Sequence, residues 1–303
     1  MPIYFIVGPT CIGKSSLALK LAKNINAEII NADSMQVYSN LNILSARPSK
    51  KDEKEVIHHL YGHVNGSERY NVAKWCIEAS NIIKNCKTNK INTIIVGGTG
   101  LYIEKLINGL VDIPSVPEKY KNKSDDILKK KGINNFFNLV SEIDREAVEK
   151  IDANDVNRLK RVWEVFKYTN ITISDWKKNN TKKFLSDPDY FLYLFLPDRK
   201  KNYERVNKRF LNMINKGAIN EVKELLSLKL DESLPIMRAH GVPEINLYLK
   251  NKINLDECIE KSQQITRNYV KRQHTWWNST SLRIHQKLAE FPDQIGIKLM
   301  NFD

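Results

Sequence analysis

The chain has 303 residues, enough for one large domain or two modest ones with a substantial core. Hydrophobic residues make up 42% of it, and no apolar run is long enough to cross a bilayer, so a soluble globular protein is expected and a membrane-embedded one is excluded. The net charge of +13 favours a polyanionic partner. Four cysteines (Cys11, Cys76, Cys86, Cys258) form no C-x-x-C pair and no Cys/His cluster, which argues against zinc and predicts reduced thiols in a cytoplasmic protein. Met1 leads directly into an apolar run, so no signal peptide is expected.

That run, Ile3-Tyr4-Phe5-Ile6-Val7, reads as a strand. Gly8-Pro9-Thr10-Cys11-Ile12-Gly13-Lys14-Ser15 follows, and then the helical pattern of residues 16–22. This is the G-x-x-x-x-G-K-[ST] phosphate loop between strand and helix, the ATP-binding signature of P-loop proteins. Its backbone N–H groups and the helix N-terminus turn toward phosphate oxygens. Lys14 adds a point charge, and the Ser15 hydroxyl is placed to reach a Mg²⁺.

Residues 28–32 and 92–96 read as parallel core strands. Between them, His58-His59 sits on a strand where adjacent side chains point oppositely, a structural feature and not a metal pair. Residues 71–87 form an amphipathic helix whose apolar stripe is core packing. Strand–loop–helix repeated in this way predicts an α/β doubly wound parallel sheet, with ligands at the carboxyl ends of the strands. Asp112-Ile113-Pro114-Ser115-Val116-Pro117 marks a boundary. Residues 118–180 are helical and charged, and residues 190–196 are a strong strand that rejoins the first sheet. The domains are therefore a catalytic core of residues 1–111 and 190–303 and an all-helical insertion of residues 112–189. Residues 202–230 and 256–277 read as long amphipathic helices.

A P-loop NTPase places an acid at the end of an apolar strand to hold Mg²⁺. Here residues 94–96 end in Gly97-Gly98-Thr99-Gly100, without one. The acid is Asp33, after the second strand, where it is a metal ligand, a general base or a helix N-cap. Arg205 and Arg209 lie four apart and share a helical face, Arg205 being the more natural solvated cation. Arg267 and Lys271 share another face, and Trp276-Trp277 is better read as core than as a base-stacking pair.

G-P-T-x-x-G-K-S, A-D-S-M-Q-V-Y, A-R-P-S, V-G-G-T-G-L-Y and T-R-x-Y-x-K-R-Q-x-T-W occur in this order from Ile3 to about Trp277. The combination resembles the tRNA dimethylallyltransferase (tRNA isopentenyltransferase) family of the bacterial type, similar in fold to nucleotide kinases. The resemblance implies that dimethylallyl diphosphate, with Mg²⁺, occupies the loop at Gly8, Pro9, Thr10, Cys11, Ile12, Gly13, Lys14 and Ser15, with Arg209 on its pyrophosphate. It implies that Asp33 is the general base toward N6 of the adenine 3′ of the anticodon, in tRNAs reading codons that begin with U. Thr99 then orients the amine or the diphosphate.

For the tRNA anticodon stem-loop the resemblance implies contacts from Asp33, Ser34, Met35, Gln36 and Thr99, from the region of Lys121, from Asn157, Arg158, Leu159, Lys160 and Arg161, and from Arg238, His240 and Gly241. The chain departs from the family at Val242-Pro243, where most members have a tyrosine after the glycine. A monomer without an obligate protein partner is implied. Two rival readings are a small-molecule P-loop kinase and a non-catalytic RNA-binding protein; the kinase leaves the basic charge unexplained.

Overall fold

The structure, a computed structural model, describes residues 1–179, 181–186 and 189–295. Residue 180, expected to be helical, and residues 187–188 and 296–303 of the expected domains lie outside the described residues. The chain divides into two units, residues 1–107 with 184–303, and residues 108–183.

The first unit begins with β1 (Ile3–Val7), α1 (Lys14–Ile25), β2 (Ala27–Asn31), α2 (Lys50–Glu55), β3 (His58–His59), α3 (Val72–Thr88), β4 (Asn92–Gly97) and α4 (Gly100–Asn108). The second unit contains β5 (Leu110–Val111), α5 (Glu118–Ile143, broken at Gly132), α6 (Arg145–Val148), α7 (Val156–Thr169), α8 (Ile173–Asn179) and β6 (Thr181–Lys182). The chain returns to the first unit with β7 (Tyr190–Phe195), α9 (Arg199–Asn215), α10 (Ala218–Ser227), α11 (Val242–Leu249), α12 (Leu255–Asn278) and β8 (Gln286–Leu288).

The six-stranded sheet runs β3-β2-β4-β1-β7-β8, with every neighbouring pair parallel. Its central strands are buried on both faces, which is why they read as continuous apolar runs. Side chains alternate across β1: Ile3, Phe5 and Val7 join the core beneath α3 and α4, while Tyr4 and Ile6 join the core beneath α1. The expected return of the chain to the sheet is present as β7, paired with β1 from Ile3↔Tyr190 to Val7↔Leu194.

Three sequence expectations are refined by packing. Residues 202–230 are not one helix: α9 and α10 are separated at Gly217, where φ is 99°. The 108–183 unit is helical except for the antiparallel pair Leu110↔Lys182 and Val111↔Thr181. That pairing ties residues 110–111 to the second unit, so the junctions fall at 107/108 and 183/184. His58 Nδ1 donates to the Val56 carbonyl (2.8 Å) and His59 pairs with Glu28 (2.6 Å), on opposite sides of β3. No cluster of three metal-ligating side chains occurs among the described residues.

Candidate active site

The phosphate loop follows β1 and needs three left-handed residues in close order, Gly8 (φ 144°), Cys11 (φ 67°) and Gly13 (φ 96°). A side chain on Gly8 would lie 2.2 Å from the Phe195 carbonyl oxygen, so only glycine fits between β1 and β7 there. Lys14 is buried and donates to the Pro9 carbonyl at 2.6 Å, which folds its ammonium back over the loop. Burial lowers its pKa to about 8; Asp33 opposes that shift and Arg209 adds to it. Ser15 is exposed at the first turn of α1. Ile12 is fully buried, so this position offers its backbone and not its side chain to a ligand.

Asp33 is held by the ends of two strands. Asn31 is fully buried and accepts from the Asp33 N–H (2.8 Å), while its amide donates to the Asp33 and Leu60 carbonyls. The Asp33 carboxylate accepts from the Met35 N–H at 2.9 Å, capping the turn that carries Ser34, Met35 and Gln36. The helix N-cap reading of Asp33 is corrected: no helix follows it directly, and the carboxylate caps a turn over residues 34–37 while also lining the cavity. Thr99 joins this turn to the end of β4: its hydroxyl accepts from the Ser34 N–H (3.1 Å), and its own N–H donates to the Ala32 carbonyl (3.1 Å).

Two cavities share Thr10, Asp33 and Arg209. One, of about 320 Å³, is lined by Gly13, Lys14, Ser15, Gln36 and Arg205. The other, of about 170 Å³, is lined by Met35, Leu44, Val206, Phe210, Met213 and His240, among others. The first is mainly polar and carries Lys14, Arg205 and Arg209, and the second is mixed, with an apolar wall of Met35, Leu44, Val206, Phe210 and Met213 facing Asp33, Arg209, Arg238 and His240. Arg209 donates to the Thr10 hydroxyl at 3.0 Å, which fixes its guanidinium where the two cavities meet. His240 packs edge-on to Tyr269, with centroids 4.9 Å apart, and burial lowers its pKa, which favours the neutral imidazole. Arg238 lines the same cavity. Gly241 caps α11 with φ 95°, and Val242 is buried in the core beside it, so the residue in place of the family tyrosine has a packing role.

Several residues on this site escaped the sequence reading. Arg205 is not a solvated cation: its Nη1 donates to both oxygens of the Asp293 carboxylate (2.7 and 2.9 Å), and its guanidinium lies 3.8 Å over the Phe291 ring. Arg267 donates to Asn207 (2.7 Å) and Lys271 is exposed; the face of α12 that lines the site is instead Thr266, Tyr269 and Gln273. The three- and four-residue spacing of those positions was the available signal. Trp277 is buried and Trp276 packs against the same core, as the core reading expects.

Glu221 of α10 accepts from three successive N–H groups, Asn42, Ile43 and Leu44 (2.6, 2.7 and 2.9 Å), and so anchors the loop that brings Leu44 to the cavity. Glu221→Ala is expected to destabilise the protein by about 2 kcal/mol, because partly buried donors lose a charged acceptor. A lower urea midpoint with an unchanged slope is the check.

In the 108–183 unit, Asn157 and Arg158 are exposed near the start of α7. Arg158 pairs with Asp155 (3.2 Å), Lys121 with Glu118 (2.8 Å) and Lys160 with Asp125. The Arg158–Asp155 and Lys121–Glu118 pairs are exposed and so weak, whereas Lys160–Asp125 is partly buried. Arg161 is partly buried near Glu164. Leu159 is a correction: its side chain is fully buried in the core with Phe136, Val140 and Trp163. Exposing it would forfeit roughly 2 kcal/mol of burial, so its side chain supports α7 and is not presented to a ligand.

Fold and site define a phosphate-loop α/β protein in which the cationic cradle faces a carboxylate, with no acid at the end of β4. The chain matches the family model described as IPP transferase over residues 36–280, and isopentenyl transferase over residues 1–63. It is 43% identical to the tRNA dimethylallyltransferase of Pelagibacter ubique, over 90% of this chain and 87% of that one. With the Bartonella henselae tRNA dimethylallyltransferase the identity is 40%, over 91% and 95%. Among solved structures, the tRNA isopentenylpyrophosphate transferase of Bacillus halodurans is 27% identical with a TM-score of 0.69, covering 98% of this chain and 92% of that one. A eukaryotic dimethylallyltransferase acting on tRNA is 28% identical with a TM-score of 0.81, covering 97% and 75%. The chain belongs to the tRNA dimethylallyltransferase family.

Proposed function

We propose that this protein transfers the dimethylallyl group of dimethylallyl diphosphate to N6 of the adenine 3′ of the anticodon, in tRNAs reading codons that begin with U. The observation that carries the reading is the Asp33 carboxylate, which lines both the phosphate-loop cavity and the neighbouring cavity walled by Met35, Leu44 and Phe210. The exocyclic amine is a weak nucleophile because its lone pair is delocalised into the ring. A new bond forms between N6 and C1 of the donor, the C1–O bond breaks, and the N6 proton passes to Asp33. Pyrophosphate departs with the bonding electrons. Loop N–H groups, Lys14 and Arg209 stabilise that charge where it develops. The adenine must leave the anticodon stack to reach the cavity beside Asp33.

Mg²⁺ fits the residues present. Ser15 and Asp33 are hard oxygen donors on the diphosphate cavity, and no three-carboxylate or His/Cys cluster among the described residues would hold a metal unaided. That suits an ion that keeps waters and substrate phosphate oxygens as ligands. Ser15 would hold it, and it would offset the negative charge of the diphosphate. The basic residues of α7 give the tRNA its electrostatic purchase, and the site of action is the cytoplasm.

The test uses purified protein, unmodified tRNA, Mg²⁺ and labelled dimethylallyl diphosphate. Label in the RNA, mapped to the adenine 3′ of the anticodon, is expected. ATP hydrolysis without label transfer would overturn the reading.

A further inference from the structure

Gln273 is buried on α12, far in sequence from both loops that it touches. Its Oε1 accepts from the Thr10 N–H at 2.9 Å, inside the phosphate loop. Its Nε2 donates to the Gly98 carbonyl at 2.9 Å, in the loop after β4. The two partners dictate the amide's orientation, since one is a donor and the other an acceptor. One turn earlier on the same face, the Tyr269 hydroxyl faces Thr99 and Gln273. Thr99 in turn holds the Ser34 N–H beside Asp33. One helix face therefore connects the diphosphate cradle to the turn that carries the base.

We propose that Gln273 is a positioning residue that locks the phosphate loop to the Gly98-Thr99 loop and so sets the register between the donor diphosphate and Asp33. This deepens the transferase reading and rests on it. The physical reason is that transfer needs the reacting atoms within a near-attack geometry, which small misplacements destroy. A backbone N–H turned away from its place in the loop is also lost to the diphosphate. Gly98 belongs to the same device: a β-carbon there would lie 2.3 Å from the Gln273 amide nitrogen.

Four variants test this: Gln273→Met, which keeps the volume and removes both bonds, Gly98→Ala, which pushes the amide away, Gln273→Ala, and Gln273→Ala combined with Gly98→Ala. Gln273→Met and Gly98→Ala are each expected to raise donor KM and weaken inorganic pyrophosphate binding with Mg²⁺ by about tenfold, the equivalent of one lost hydrogen bond, with tRNA KM unchanged. The double variant should be no worse than Gln273→Ala alone, because the clash has gone. A merely structural role would lower the melting temperature and leave both donor KM and pyrophosphate affinity as in the wild type. That result in Gln273→Met, or full additivity in the double variant, would overturn the proposal. Calorimetry with pyrophosphate needs no turnover. If the wild-type protein transfers no label while pyrophosphate affinity still depends on Gln273, the transferase reading fails and the locking role stands.

Discussion

Asp33→Asn should slow single-turnover transfer to tRNA by about a thousandfold, within the range set by loss of a general base. Asparagine keeps the oxygen that caps the Met35 N–H, so the turn carrying Ser34, Met35 and Gln36 should survive. Only the basicity is removed. Donor and tRNA affinities should stay within about threefold of the wild type, since the loss belongs to the transition state and not to binding. Rapid-quench measurement of label transfer with saturating tRNA separates the two. Equal losses in tRNA affinity and rate would assign Asp33 to binding and not to proton transfer.

The second large effect is at Lys14. Lys14→Met should lower kcat/KM for the donor by about a hundredfold or more, the magnitude typical of removing one group that stabilises developing negative charge. Methionine fills the same buried space, so the fold should hold. A pH dependence accompanies this. Burial brings the Lys14 pKa down to about 8, well below the ordinary 10.5. Diphosphate binds the protonated ammonium preferentially. Donor affinity in the free protein should therefore be flat below pH 8 and fall as pH rises through it, approaching tenfold per unit above. Bound diphosphate raises the pKa again, so kcat should lose less than kcat/KM over the same range. Calorimetric titration of pyrophosphate from pH 7 to 9.5, with Lys14→Met run in parallel to subtract the ligand's own titration, checks the slope.

Much of this molecule was legible in its sequence, for reasons that differ by element. The phosphate loop was legible because it is local: strand, left-handed glycines, lysine and helix are contiguous, and the geometry follows from adjacent dihedrals. The central strands were legible because burial on both faces leaves an uninterrupted apolar run. The break between α9 and α10 was harder to see, because one glycine in an amphipathic pattern is compatible with a continuous helix. The pair β5–β6 was hidden for another reason. Two-residue strands separated by about seventy positions carry no periodicity, and only closure of the inserted chain brings them together.

The site divides along the same line. The sequence by itself determined which chemistry is present: a phosphate cradle, a carboxylate after the second strand, an arginine on the helix following the returning strand, and basic residues in the insertion. Tertiary structure decided which of these meet. It placed Arg209 on Thr10, paired Arg205 with Asp293, withdrew Leu159 into a core, and bridged Thr10 to Gly98 through Gln273. Local motifs encode the groups because each is fixed by neighbouring dihedrals. Their encounters depend on parallel strand order and on α12 packing over the strand ends, which no stretch of adjacent residues specifies. The phosphate loop was visible from its own eight residues; the amide that locks it in place lies more than 250 residues further along the chain.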